Sequence, residues 1–306
     1  MQVLGSHLDL RDKDFVANRD AMVSELEEFE ELQARARMGG GQKYIDRHRK
    51  RGKMLVRERI ELLIDPDTPF LEFSTLAAWG SQKPLGANVV TGIGVIEGVE
   101  CVISANDPTS QAGSSNRYTL AKTLRAQDIS LQNRMPLVNL VESGGADLPD
   151  QAEVFLTGGK WFRNLAHMSA RGIPTIALVF GNSTAGGAYV PAMCDYAVLV
   201  KEAAKVFLGG PPLVKMATGE ESTDEELGGA EMHSRVSGLG DYFAQDERDA
   251  LRIGRQIIAH LNFRKAGQSP SMPADEPVHD PEHLLGIIPR DLKVPMDMRE
   301  VLARIL

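Results

Sequence analysis

Ser143-Gly144-Gly145-Ala146 and Thr184-Ala185-Gly186-Gly187-Ala188 are the stretches on which the reading of this chain turns. Each follows an apolar run that reads as a buried strand, 137–141 and 173–180, and each leads into a helix-like segment. A strand that ends in paired glycines before a helix leaves backbone N–H groups open, and such groups hold a negatively charged oxygen. The pattern points to an enzyme that stabilises anionic oxygen with backbone. A side chain at Gly186 or Gly187 would block an incoming carbonyl; Gly144 and Gly145 would add a donor or let two layers come close. Tight packing accounts equally well for one glycine pair, but it does not require two matching turns.

The flanking sequence supplies a setting for these turns. At 306 residues with 42% apolar content, the chain can bury a sizeable core. The balance of 34 basic and 42 acidic residues gives −8, which makes no general case for nucleic acid. Cys101 and Cys194 lie in or beside apolar runs and read as buried reduced thiols. No metal-ligand spacing stands out, no run is long enough to span a membrane, and no leader pattern opens the sequence, so the expected location is cytoplasmic.

Segment 14–37 carries Phe15, Met22, Leu26, Phe29 and Leu32 at helical spacing, and Gly39-Gly40-Gly41 stops it. Segment 43–63 opens with Lys43, Arg47, His48, Arg49, Lys50, Arg51 and Lys53, which reads as a solvated helical face or as a site for a phosphorylated ligand. Strands are expected at 70–73, 89–96, 100–104 and 196–200, with a hairpin at Gly98. Helices are expected at 119–132 and 246–263, the latter with Gly254 in its apolar stripe, and Thr223 with Glu226 forms a capping box. Pro270, Pro273, Pro277 and Pro281 mark 266–281 as a linker, and a short helix follows from 296. The division expected is a helical region at 1–64, an α/β core at 65–265, and a linker with the start of another domain at 266–306. Ser143 and Ser183 lack a nucleophile-elbow context, and His167 and His233 have no visible partner. Asp107 and Asp147 read as loop carboxylates, so no side-chain general base stands out.

The chain resembles the N-terminal half of the carboxyltransferase (beta) subunit of biotin-dependent acyl-CoA carboxylases, in the branch similar to methylcrotonoyl-CoA and geranyl-CoA carboxylases. The resemblance rests on Arg51-Gly-Lys53 with Arg57-Glu-Arg59, the run from Glu142 to Phe155, Thr184 to Met193, Phe207 to Glu220, and Glu226 to His233. It implies the crotonase-like fold, an α/β spiral of repeated ββα units. It also implies a carboxyltransferase, the ligase component that moves a carboxyl group from carboxybiotin to an acyl-CoA, with a branched or unsaturated acyl group favoured. By the same resemblance Gly186 and Gly187 hold the enolate oxygen, with Gly144 and Gly145 in the second turn. Ser143, Ala146, Ala185 and Ala188 neighbour the bound acyl-CoA, and Arg51 and Lys53 meet the CoA phosphates. No cofactor is bound covalently and no metal is implied; carboxybiotin comes from a biotin carboxylase/biotin carrier (alpha) subunit, and decarboxylated biotin serves as the base. Carboxyltransferase subunits of the family assemble as homo-oligomers.

Asp147 and the stretch 107–116 depart from the branch pattern where they bear on the pocket, so the acyl group stays open. Family members continue into a second, homologous domain. The chain therefore reads as a piece of a longer subunit or as a natural half-length protein, and it is expected to bind acyl-CoA better than it turns it over. A crotonase-type hydratase or isomerase, with Glu142 or Asp147 as base, or an acyl-CoA decarboxylase, is the rival enzyme. A non-catalytic scaffold subunit is the rival outside catalysis.

Overall fold

The computed structural model describes residues 4–264, 276–291 and 293–306. In chain order the elements are α1 (Lys13–Arg37), α2 (Gln42–Lys50), α3 (Val56–Leu63), β1 (Leu71–Glu72), β2 (Val89–Ile96), β3 (Val99–Asn106), α4 (Arg117–Asn133), β4 (Leu137–Ser143), α5 (Gln151–Ala170) and β5 (Thr175–Thr184). They continue with α6 (Tyr189–Met193), β6 (Tyr196–Val200), β7 (Lys205–Phe207), α7 (Pro211–Thr218), α8 (Asp224–Gly228), α9 (Ala230–Met232), β8 (Tyr242–Ala244), α10 (Glu247–Leu261), α11 (Leu284–Ile287) and α12 (Met298–Leu302).

The described residues form two compact units, one drawn from 1–34 with 267–306 and one from 35–266. The basic segment thus folds with the strands rather than with the first helix, which differs from a boundary after residue 64. Pro270 and Pro273 of the expected linker lie outside the described residues. In the smaller unit Phe15 fills the space over Gly286, and Arg304, 3% exposed, binds the Glu300 carboxylate at 2.9 Å with Ser6 beside it.

The larger unit is built on one sheet. Strands run β1-β2-β3-β4-β5-β6-β8; β1, β2 and β3 are antiparallel, and the pairs from β3 onward are parallel. Glu97 and Gly98, with φ of 49° and 74°, make the expected hairpin turn between β2 and β3. Residues alternate across the sheet as a two-faced strand requires. Ile176, Leu178 and Phe180 of β5 join Ile103, Leu140, Val198 and α10's Leu251 and Ile257, while Ala177 and Val179 join Val141 and Leu199 on the other face. The glycine in the stripe of α10 is there for close approach, since a Cβ at Gly254 would sit 2.8 Å from Leu178.

β5 is shared in a way that positions everything after it. Its first half pairs with β6 at 176–179, and its end, Asn182–Thr184, pairs with β7. The sheet therefore splits where the second glycine turn begins, as a spiral of strand–helix units does. Among the described residues no helix is long and apolar enough to cross a membrane.

Candidate active site

The two glycine turns, alike in sequence, do different things in the structure. A register shift between Val141 and Ser143 turns the end of β4, and Gly145 takes φ 98°, a conformation open to glycine. The Gly144 N–H donates to Ala112 O at 2.9 Å, and the Gly145 N–H donates to Ser143 Oγ at 3.2 Å. Ser115 N–H donates to Gly145 O and Asp147 N–H to Ser115 O, both at 2.8 Å. The first turn is thus stitched to the loop at 107–116, and its N–H groups are spent on the chain.

The second turn stays open. β5 gives way to Ala185, held at φ 54°, and then to a 3-10 turn over Ala185–Ala188 that runs into α6. Gly186 is exposed and sits in the first turn, where N–H groups have no intrahelical acceptor. A Cβ on Gly186 would come no nearer than 3.8 Å to another atom, Phe162 Cζ, and one on Gly187 no nearer than 3.9 Å, to Ser183 Oγ. Nothing in the chain requires glycine at either place.

These residues border a cavity of about 120 Å³ whose lining includes Ala146, Phe155, Gly158, Gly159, Phe162 and Gly186, and contains no ionisable side chain. Gly158 and Gly159 stand in the interior of α5, and a Cβ on either would meet nothing within 4 Å. Helix-interior glycines cost roughly 1 kcal/mol each relative to alanine, so they leave room that packing does not use. They carry no periodic or capping signal, which is why the sequence alone does not single them out.

A second cavity, about 430 Å³, lies between Gly39-Gly40, the α2 side chains Tyr44, Arg47 and His48, Arg51, and the loop at 108–112. Gly40 permits that closeness: a Cβ there would collide with the Thr109 backbone carbonyl, and its N–H donates to Thr109 Oγ1 at 3.2 Å. Arg47 and Arg51 are exposed along the wall, whereas His48 is buried. Burial pushes the His48 pKa below 6.5, opposed by the nearby Glu142 carboxylate.

Lys53 does not face this cavity as a free cation. Its ammonium is paired with Glu142 and donates to Phe180 O at 2.9 Å, which removes it from the phosphate contacts expected of it. Arg59, 1% exposed, binds Glu247 through Nε at 2.9 Å and Nη2 at 2.7 Å, and its Nη1 is 2.8 Å from Glu142 Oε2. Burial works against the Arg59 charge, and the Glu142 and Glu247 carboxylates outweigh it, so its pKa is raised. The neighbouring candidate, Asp147, is 2.7 Å from Lys83 Nζ, and Asp150 is 3.0 Å from it. Both candidate bases of the hydratase reading are therefore held by cations.

His233 is fixed by Val206 O at 2.7 Å and Ser237 Oγ at 2.8 Å, as a structural histidine. Cys101 and Cys194 are free thiols, pushed up to about 12 mainly by burial. Among the described residues no cluster of His, Cys, Asp or Glu is placed to hold a metal ion. Ser143 and Ala188 are buried, and Ala146 and Ala185 are half-buried beside the first cavity.

The pattern of the Carboxyl transferase domain family matches residues 47–306. The chain is 62% identical over 285 residues to the probable biotin-dependent acyl-coenzyme A carboxylase beta2 subunit of Mycobacterium tuberculosis, covering 93% of this chain and 54% of that protein. It is 47% identical to the methylcrotonoyl-CoA carboxylase beta chain of Dictyostelium discoideum, covering 99% of this chain and 53% of that one. The geranyl-CoA carboxylase beta subunit of P. aeruginosa superimposes with a TM-score of 0.89 at 42% identity, over 99% of this chain and 57% of that one. The chain thus spans about half the length of the relatives it matches.

Proposed function

Since the chain belongs to the carboxyl transferase domain family and has its crotonase-like α/β fold, we propose that it is the acyl-CoA-binding half of a biotin-dependent acyl-CoA carboxyltransferase, acting on a branched or unsaturated acyl group. The observation that carries the reading is the apolar cavity at which four glycines, 158, 159, 186 and 187, meet although no neighbouring atom demands glycine there. Such a cavity suits an acyl chain, with its thioester carbonyl turned to the Gly186 N–H at the start of the 3-10 turn. Charge developing on that oxygen as an enolate is then met by a donor already in place, worth up to about 3 kcal/mol once bound ligand covers the exposed Gly186. The Gly187 backbone adds room for the carbonyl, and the stitched first turn, Gly144 and Gly145, forms a wall rather than a donor pair.

The basic cavity fits the other end of the ligand. Arg47 and Arg51 present guanidinium groups to CoA phosphates, which they can hold in pairs of charge-assisted hydrogen bonds. No ionisable side chain lines the acyl cavity, and Glu142 and Asp147 are engaged elsewhere, so the proton that leaves the acyl carbon needs an acceptor from outside this half. Carboxybiotin on a partner subunit would supply both the carboxyl group and, once decarboxylated, that acceptor. Phe155 of the cavity lining, with Leu148 and Leu156 near it in sequence, is 78% exposed, and the two leucines are 74% and 89% exposed, an apolar surface for a neighbouring carboxyltransferase subunit.

Calorimetry with CoA and a series from acetyl-CoA through 3-methylcrotonoyl-CoA to geranyl-CoA tests the reading. Binding that strengthens from CoA to the branched thioesters is the expected result. Absence of binding throughout the series would remove the catalytic reading and favour a scaffold subunit.

A further inference from the structure

Around the end of β4, next to the first glycine turn, lies a largely buried group of charges that the proposed chemistry does not use. Lys53 precedes α3, Arg59 lies on it, Glu142 is the residue before Ser143 in β4, and Glu247 opens α10. The two cations and two carboxylates balance, and Arg59 also stands over the Phe180 ring, 4.4 Å from its centre. Arg59 is almost wholly cut off from water, and a charge so buried is costly unless it is matched, as it is here by Glu142 and Glu247.

Glu142 is closely confined. Its carboxylate lies against Gly181 of β5, where a Cβ would come within 2.6 Å of Oε1 and 2.7 Å of Cγ. Its backbone carbonyl fills the place where Gly113 would carry a side chain, and its N–H donates to Asn106 Oδ1 at 3.4 Å. The next residues are the turn that walls the acyl cavity. The group also reaches the basic cavity: Glu247 Oε2 accepts from Met54 N–H at 3.1 Å, and Met54 O lies 3.0 Å from Nε2 of His48, a residue of that cavity's wall.

We propose that Glu142 is a positioning residue: held by Lys53 and Arg59, it fixes the Ser143–Ala146 turn at the position acyl recognition needs and ties that turn to the wall of the phosphate-binding cavity. The inference rests on the acyl-CoA reading and deepens it, because it assigns acyl discrimination to a residue that touches no ligand. Misplacement of a positioned group by about 1 Å is enough to cost as much as a hundredfold in an active site.

The test compares binding of CoA and of 3-methylcrotonoyl-CoA by wild type, by Glu142→Gln, and by the double variant Lys53→Met/Glu142→Gln, with the thermal midpoint of each. Glu142→Gln leaves one buried positive charge unmatched, whereas the double variant is again balanced. The expected result is that Glu142→Gln keeps its affinity for CoA but loses its preference for the thioester. The double variant should regain thermal stability without regaining the preference. A preference unchanged in Glu142→Gln, or restored together with stability in the double variant, overturns the proposal. Failure of wild type to bind CoA at all would overturn the functional reading itself, a different outcome from binding without discrimination.

Discussion

Replacing Gly158 and Gly159 together by alanine should make the protein more stable and a poorer binder of larger acyl groups. Both residues are helical in the interior of α5, and neither Cβ would meet an atom within 4 Å, so no steric penalty offsets the gain in helix propensity. Each change is worth roughly 0.8–1 kcal/mol, or about 2 kcal/mol for the pair. For a unit the size of residues 35–266, that corresponds to a rise of about 4–8 °C in the thermal midpoint. The two added methyl groups enter a cavity of about 120 Å³ and should weaken geranyl-CoA more than acetyl-CoA, with CoA itself unaffected. Scanning calorimetry and isothermal titration read the two effects separately. A midpoint that stays level or falls would show that the glycines are required by the fold. A higher midpoint with an unchanged acyl series would place the acyl group elsewhere.

Arg51→Ala and Arg47→Ala should each weaken CoA binding, with a loss that shrinks as salt rises, measured by titration across ionic strength. Gly186→Val should leave the thermal midpoint nearly unchanged yet abolish thioester binding, because its side chain would project into open space beside Phe162. Lys122, whose pKa burial lowers from 10.5 to about 8, imposes a cost while it is charged in the fold, and that cost is fully present below pH 8. Between pH 8 and 10.5 the unfolded chain holds more protons at this site, so stability should rise with pH by on the order of 3 kcal/mol, and Lys122→Met should flatten the rise in denaturant titrations. Cys101 and Cys194, pushed up to about 12, should resist alkylation at pH 8 in the folded state and react once the chain is unfolded.

Much of the framework could be read along the chain because the signals are local. The strand at 196–200, the Gly98 hairpin, and the Thr223 capping box with Glu226 N–H on Thr223 Oγ1 at 3.2 Å all depend on residues within a few positions of each other. Strands β7 and β8 are three residues each, too short to show alternation. The same turn sequence in two places suggested two similar sites; the difference lies in Ala112 and Ser115, which reach the first turn through the fold and not through the sequence. The resemblance implies a phosphate contact for Lys53, and only the tertiary position of Glu142 and Phe180 O turns its ammonium inward. Gly158 and Gly159 look like weak helix residues until the cavity beside them is seen.

The buried ion group also has a consequence for how the protein is made. Its members sit at positions 53, 59, 142 and 247, so a chain emerging from the ribosome carries Arg59 for nearly two hundred residues before its bidentate partner is synthesised. Until Glu247 is available the Arg59 guanidinium has only Glu142 to meet it, and the charges of the group are not all matched. The buried ion group is thus completed by one of the last pieces of the larger unit to be translated.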